Sequence, residues 1–221
     1  MNLKDISCFE RKIILNVWEL YKEAKWLNRL GHYARSYALS HLAFEESAKI
    51  TVLTFLAWDL FTGRAIASDD IHKIFSSQLF KDHRFKLRVA FLRLPGYDYQ
   101  TALRQISALD KLKNRSLYSD IIDDEMYKPS DFFGKEQTSL MIGITKDTLQ
   151  RTIEDIGIVK ISKLDSITDE MIESRYKKMK EIFNAQRAIL MVSSNVNHVD
   201  YLMEIIKTEE LFNRLKQLFQ I

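Results

Sequence analysis

The 221-residue sequence has little of what shapes turns and cross-links: six glycines, two prolines and one cysteine. At ordinary usage a chain of this length carries roughly fifteen glycines and eleven prolines. That shortage argues against a turn-rich all-β fold. The lone cysteine, Cys8, closes no intrachain disulfide, which fits a reducing compartment and makes the cytoplasm the expected location. Long apolar runs are missing too. The most apolar stretch, 50–67, runs nine residues before Asp59 interrupts it, against the roughly 18 to 20 that a spanning helix needs, so no membrane association is expected. The opening Met1-Asn2-Leu3-Lys4-Asp5 lacks the basic start and apolar centre of a secretory signal. Neither charge sign dominates: 33 Lys and Arg face 30 Asp and Glu, a net +3. Any attraction to phosphate must therefore come from a local patch.

What is present is a 46% hydrophobic chain, enough to build a core, with apolar residues at helical spacing. The predicted fold is all-α. Glycines fall between the apolar runs, where they serve as helix stops. Amphipathic runs at 9–30 and 33–61 end at Gly31 and Gly63, and two long helices with so short a link should pack antiparallel. A short segment at 71–80 precedes helices at 81–94, closed by Pro95-Gly96, and at 99–113. Residues 116–139 gather Asp120, Asp123, Asp124, Pro129, Asp131 and Gly134 and read as a long loop. Helices are expected again at 146–156, 169–192 and 199–219, while 156–167 reads as a short strand or an extended connection. The organisation is a single helical domain over 1–221: a core bundle at about 1–118, an acidic loop at about 119–139 and a C-terminal helical part at about 140–221. The last helix offers an apolar seam (Leu202, Ile205, Ile206, Leu211, Leu215, Leu218, Phe219) that serves dimerisation or internal packing equally well.

The run 36–61 holds only Glu45, Glu46, Lys49 and Asp59 as charges. A helix apolar nearly all round is a buried helix, and a buried carboxylate has to be paired or protonated. His41, Glu45 and Lys49 share one face, and Glu46 sits about 100° to the side, so the cluster can reach two neighbours. An ordinary Glu45–Lys49 ion pair is the plainest reading. A metal centre is not expected: there is no Glu-x-x-His for a carboxylate-bridged pair of metals, no His-Glu-x-x-His, and one cysteine. Downstream, 81–115 carries nine basic residues against three acids, while 116–136 carries six acids against two lysines. Within the basic stretch His83 and Lys86 fall on one helical face, a pairing suited to proton transfer beside a phosphate or merely to bridging helices. Glycine-rich nucleotide loops and a Gly-x-Ser-x-Gly elbow are absent, so no cofactor is expected.

Three segments give the sequence a family resemblance. Ala38-Leu39-Ser40-His41-Leu42-Ala43-Phe44-Glu45-Glu46-Ser47-Ala48-Lys49, Phe80 to Lys86, and Asn114-Arg115-Ser116-Leu117-Tyr118-Ser119-Asp120 are similar to motifs of the AbiV family of abortive-infection proteins, in the HEPN superfamily. The resemblance covers residues 33–120. It implies a helical bundle, an antiphage role that shuts down translation or growth in infected cells, a homodimer, RNA (tRNA, rRNA or mRNA) as a partner, and a phage-encoded activator. Many HEPN relatives are metal-independent ribonucleases with an Arg-x(4–6)-His motif. Here Arg35 to His41 is the clear formal match, and its two side chains point about 240° apart on a continuous helix; Tyr118 stands where such a motif offers His.

Two readings follow. In the enzymatic one His83 moves a proton, Arg115, Lys86 and Lys49 stabilise phosphate charge, Glu45 or Glu46 orients the cations, and Tyr118, Asp120, Arg84 and His41 hold substrate. In the other, the same cluster is a buried polar network in a non-catalytic module that docks onto a ribosomal, tRNA or phage-encoded partner.

Overall fold

The computed structural model describes residues 2–61, 63, 65, 68–91, 99–122, 124–158 and 161–190. Helix α1 (Leu3–Arg29) opens on a capping box: Asn2 Oδ1 accepts from the Asp5 amide at 3.1 Å, and Asp5 Oδ2 accepts from the Asn2 amide at 2.8 Å. These bonds occupy donors that a helix start leaves unpaired. The helix ends at Gly31, whose φ of 81° lies in the left-handed region; there the His32 amide turns back to the Leu27 carbonyl and reverses the chain. Helix α2 (Tyr33–Phe61) then runs back along α1, and Ser36 Oγ ties the two by donating to the Ala24 carbonyl at 2.6 Å.

The near absence of charge on α2 has the expected consequence. It is the axis of the bundle, with α1, α5 (His83–Phe91), α6 (Tyr99–Leu117) and α8 (Lys135–Ile156) packed around it. Ala43, Phe44, Ala48, Ile50, Val52 and Leu53 are fully enclosed. Each large apolar side chain so buried contributes roughly 1.5–3 kcal/mol. Phe44 meets Phe91 edge-on, with ring centroids 5.0 Å apart. Short helices α3 (Ser68–Ser76) and α4 (Gln78–Lys81) lead into α5, steered by an aromatic ladder in which Phe80 packs edge-on against Phe75 and Phe85.

Beyond α6 several expectations need correcting. The acidic stretch read as loop folds into an antiparallel hairpin, β1 (Asp120–Ile122) with β2 (Glu125–Tyr127), then a single turn α7 (Pro129–Phe132) and the start of α8. Its turn residues are real, but they mark the corners between small elements. Helix α8 begins well before 146 and carries Gly143 in its interior, so that glycine is not a stop. It ends at Gly157, with φ 82°. The segment expected to be extended holds a 3₁₀ turn, Ile161–Ser166, and its apolar residues Leu164 and Ile167 plug the core. The expected helix at 199–219 with its apolar seam, and the Pro95-Gly96 stop, lie outside the described residues.

Helix α9 (Asp169–Leu190) returns to α1. Arg175 forks onto Glu10 through Nη1 at 2.8 Å and Nη2 at 2.6 Å, and the Tyr176 hydroxyl donates to the same carboxylate. Glu10 is fully buried and Arg175 nearly so. Breaking such a pair from one side leaves a buried charge without compensation, at about 3–5 kcal/mol. Glu10→Ala is therefore expected to lower the denaturation midpoint sharply and release α9, read as new proteolytic cleavage within 169–181. No helix among the described residues is long and apolar enough to cross a membrane.

Candidate functional site

Glu45 lies on the enclosed side of α2, and its side chain is 2% exposed. The bundle answers with donors from three elements. On α2 itself His41, one turn earlier, places Nε2 3.1 Å from Oε1. From α5, His83 Nδ1 stands 2.8 Å and Lys86 Nζ 3.0 Å from Oε2. From α6, Lys113 Nζ stands 3.0 Å from Oε1. The local reason on α5 is visible in sequence: Asp82 Oδ1 accepts from the Arg84 amide at 2.8 Å, an N-cap that starts the helix at His83. From that start a spacing of three brings His83 and Lys86 to one oxygen.

Burial works to raise the Glu45 carboxyl, but the hydrogen bond and charge of His41, the hydrogen bond of His83 and the charge of Lys86 outweigh it. The group is held well below its ordinary 4.5. His41 moves down from 6.5, first because burial penalises its cation. Its Nδ1 is buried without a hydrogen-bond partner, so the neutral ring donating from Nε2 is the form that fits.

The site carries an excess of positive charge. One carboxylate faces two ammonium groups, Lys86 and Lys113, while Arg84 is matched separately by Asp110 at 2.9 Å. The way out is His83, whose side chain is 47% exposed where Lys113 is 5% exposed. His83 Nδ1 also lies 2.5 Å from Lys113 Nζ. One ring nitrogen holds at most one proton, so its two contacts are alternatives. With Nδ1 bare, it accepts from Lys113 and Nε2 carries the proton. With Nδ1 protonated, it donates to Glu45, Lys113 turns wholly to Oε1, and Nε2 presents a lone pair.

Of the residues selected from sequence, the structure thus gathers Glu45, His41, His83 and Lys86. It does not gather the rest. Lys49 bonds Glu46 at 2.6 Å and lies over the Phe75 ring, so the expected Glu45–Lys49 pair is replaced by a separate (i, i+3) pair. Arg115 stacks over the Phe132 ring at 5.1 Å. Tyr118 is 67% exposed at the end of α6, and Asp120 opens β1 opposite Tyr127. Arg84 is exposed on the outer face of α5. The sequence reading missed Lys113 as a member of the site. Its signal was spacing: Ile106, Leu109, Lys113 and Ser116 follow steps of three, four and three, which puts a lysine on the buried stripe of α6. A cation on an apolar stripe requires a buried acid opposite.

The AbiV family model (HEPN_AbiV) matches residues 6–150, a span that contains every residue around Glu45. No curated protein matches the chain, and no solved structure does. The matched span exceeds half of the chain and covers the helices that enclose α2, and so the chain belongs to the AbiV family of abortive-infection proteins, in the HEPN superfamily.

Proposed function

We propose that this protein halts translation in the infected cell by cutting RNA without a metal ion, using His83 as a proton shuttle over a floor of Glu45, Lys86 and Lys113. The observation that carries the reading is the double contact of His83 Nδ1, 2.8 Å from a carboxylate and 2.5 Å from an ammonium. Glu45 stabilises the form with a bare Nε2, the base, and then the imidazolium that forms when Nε2 takes a proton, the acid; Lys113 stabilises the resting form in which Nδ1 is bare. A phosphodiester at the open side of His83 is attacked by its own 2′-oxygen. Nε2 takes the 2′-hydroxyl proton, the bond from phosphorus to the 5′-oxygen breaks, and the proton passes to that leaving oxygen. The products are a 2′,3′-cyclic phosphate and a 5′-hydroxyl. The surplus ammonium charge favours the dianionic transition state over the monoanionic substrate.

The test is to incubate the purified chain in EDTA with tRNA, rRNA and mRNA, with and without lysate of phage-infected cells, and to map the RNA ends. Cyclic-phosphate and 5′-hydroxyl ends are expected. Intact RNA under both conditions, with growth arrest retained in cells, overturns cleavage. It would favour the docking reading, which has its own support in the exposed Leu117, Tyr118, Ile121 and Met126 around the hairpin, an apolar group of the kind that marks a protein contact.

A further inference from the structure

A cavity of about 720 Å³ opens where α1 turns into α2, walled by the end of α6 and by α7. Ala34 and Ala38 line it, and at 100° per residue both fall within about 20° of Glu45 around the α2 axis. Ser116, on another wall, follows Lys113 by three residues and donates to its carbonyl at 2.6 Å. Cavity and nest therefore occupy successive levels of one seam between α2 and α6, about 10–16 Å apart by helical rise along α2 and about 5 Å along α6.

The lining chemistry is one-sided. It includes His32, Arg35 and Lys128 and no acid, and these three exposed side chains make no ion pair among the described residues. Between them the lining is apolar, with Tyr33 half-buried and Phe133, 4% exposed, in the wall. A volume of this size is typical of small-ligand sites. Basic groups around an aromatic floor are the combination that holds single-stranded nucleic acid, the cations tracking phosphates and the rings taking a base.

We infer that this cavity is a nucleotide subsite, taking the base of a single-stranded RNA residue next to the phosphodiester at His83, with Arg35 and Lys128 on the flanking phosphates. The inference rests on the RNA reading above, yet binding can be measured apart from cleavage. An acidic amphipathic peptide would suit the same charge, but the seam between α2 and α6 that the cavity shares with the Glu45 cluster favours the nucleotide.

The probe is a fluorescein-labelled 2′-O-methyl hexauridylate, which cannot be cut, titrated by anisotropy into the full chain across a range of salt. The charge-reversed R35E/K128E double variant is expected to bind at least tenfold more weakly and to lose about 1.4 from the slope of log K against log salt, the single-strand value for two phosphate contacts. Leu39→Trp, which fills the cavity without altering charge, is expected to weaken binding by a similar factor. Circular dichroism checks that each variant is folded. A chain that binds the oligonucleotide but cuts nothing would defeat the cleavage mechanism and leave the subsite standing. Equal binding by parent, R35E/K128E and Leu39→Trp overturns the subsite, as does binding of an acidic amphipathic peptide with none of the oligonucleotide.

Discussion

Replacing His83 with alanine is expected to lower RNA cleavage by a factor of about 10² to 10⁴, the ordinary contribution of a positioned acid–base group, while the melting temperature stays close to that of the parent. The two effects separate because of where the side chain sits. At 47% exposure its removal opens no closed cavity, and Glu45 keeps His41, Lys86 and Lys113 as partners. A merely structural histidine would give the opposite pattern, with stability falling and cleavage following the folded fraction. Lys113→Met provides the complementary observation. It removes the contact that leaves Nδ1 bare and puts the proton on Nε2, so the nitrogen-15 shifts of the His83 ring should move toward the Nδ1-protonated form. Unchanged shifts in a folded Lys113→Met chain would contradict the shuttle. So would parent-level cleavage by His83→Ala.

Glu45→Ala should do the reverse and unsettle the whole bundle. Lys113, 5% exposed, and Lys86, 17% exposed, would face each other with no carboxylate between them. Leaving buried charge uncompensated costs about 3–5 kcal/mol, a large share of the stability of a typical domain. The pH dependence follows from the same group. Its folded carboxyl lies well below its ordinary 4.5, so in the unfolded chain it takes up its proton at higher pH. The stabilisation is complete above about pH 4.5 and fades as pH falls further. His41 acts with the same sign at higher pH: held below 6.5 by burial, it contributes fully above that value and less beneath it. Thermal melts between pH 8 and 3 should show two descending stages. Glu45→Ala should remove the lower one, and His41→Asn should flatten the upper. A single-stage profile that Glu45→Ala leaves unaltered would show that this carboxylate does not govern acid stability. The triple substitution Glu45→Leu, Lys86→Met, Lys113→Met removes all three charges together. It is expected to regain most of the lost stability without any activity, since apolar replacement of a buried ion cluster is often neutral or better. Failure to regain it would mean that the cluster stabilises the fold in its own right.

Particular residues show how far the sequence alone could be read. Helix α2 was legible in its boundaries, Tyr33–Phe61, and in its largely buried character, because a run with so few charges can spare only a narrow stripe for solvent. Glu45 and Glu46 came forward together, and only packing separated them, at 2% and 23% side-chain exposure. His83 and Lys86 were legible because a spacing of three fixes a common face on any helix. The hairpin at 120–127 was not: strands of three residues are too short for an alternating pattern to show, and here Ile121 and Met126 both face solvent. The 3₁₀ turn at 161–166 was equally hidden, since its apolar residues plug a core formed by helices far away in the chain.

Composition, periodicity and motif along one stretch of chain were enough for the helical class, the central place of α2 and the family, because each is a property of local sequence. Packing of the helices settled which acid each cation answers: Glu45 for Lys86 and Lys113, and Glu46 for Lys49. Helical periodicity fixes the direction in which a side chain leaves its own axis. A lysine or arginine, with a flexible stem several bonds long, then settles on whichever acceptor the neighbouring helices bring within about 3 Å, and that choice is made only when the helices pack.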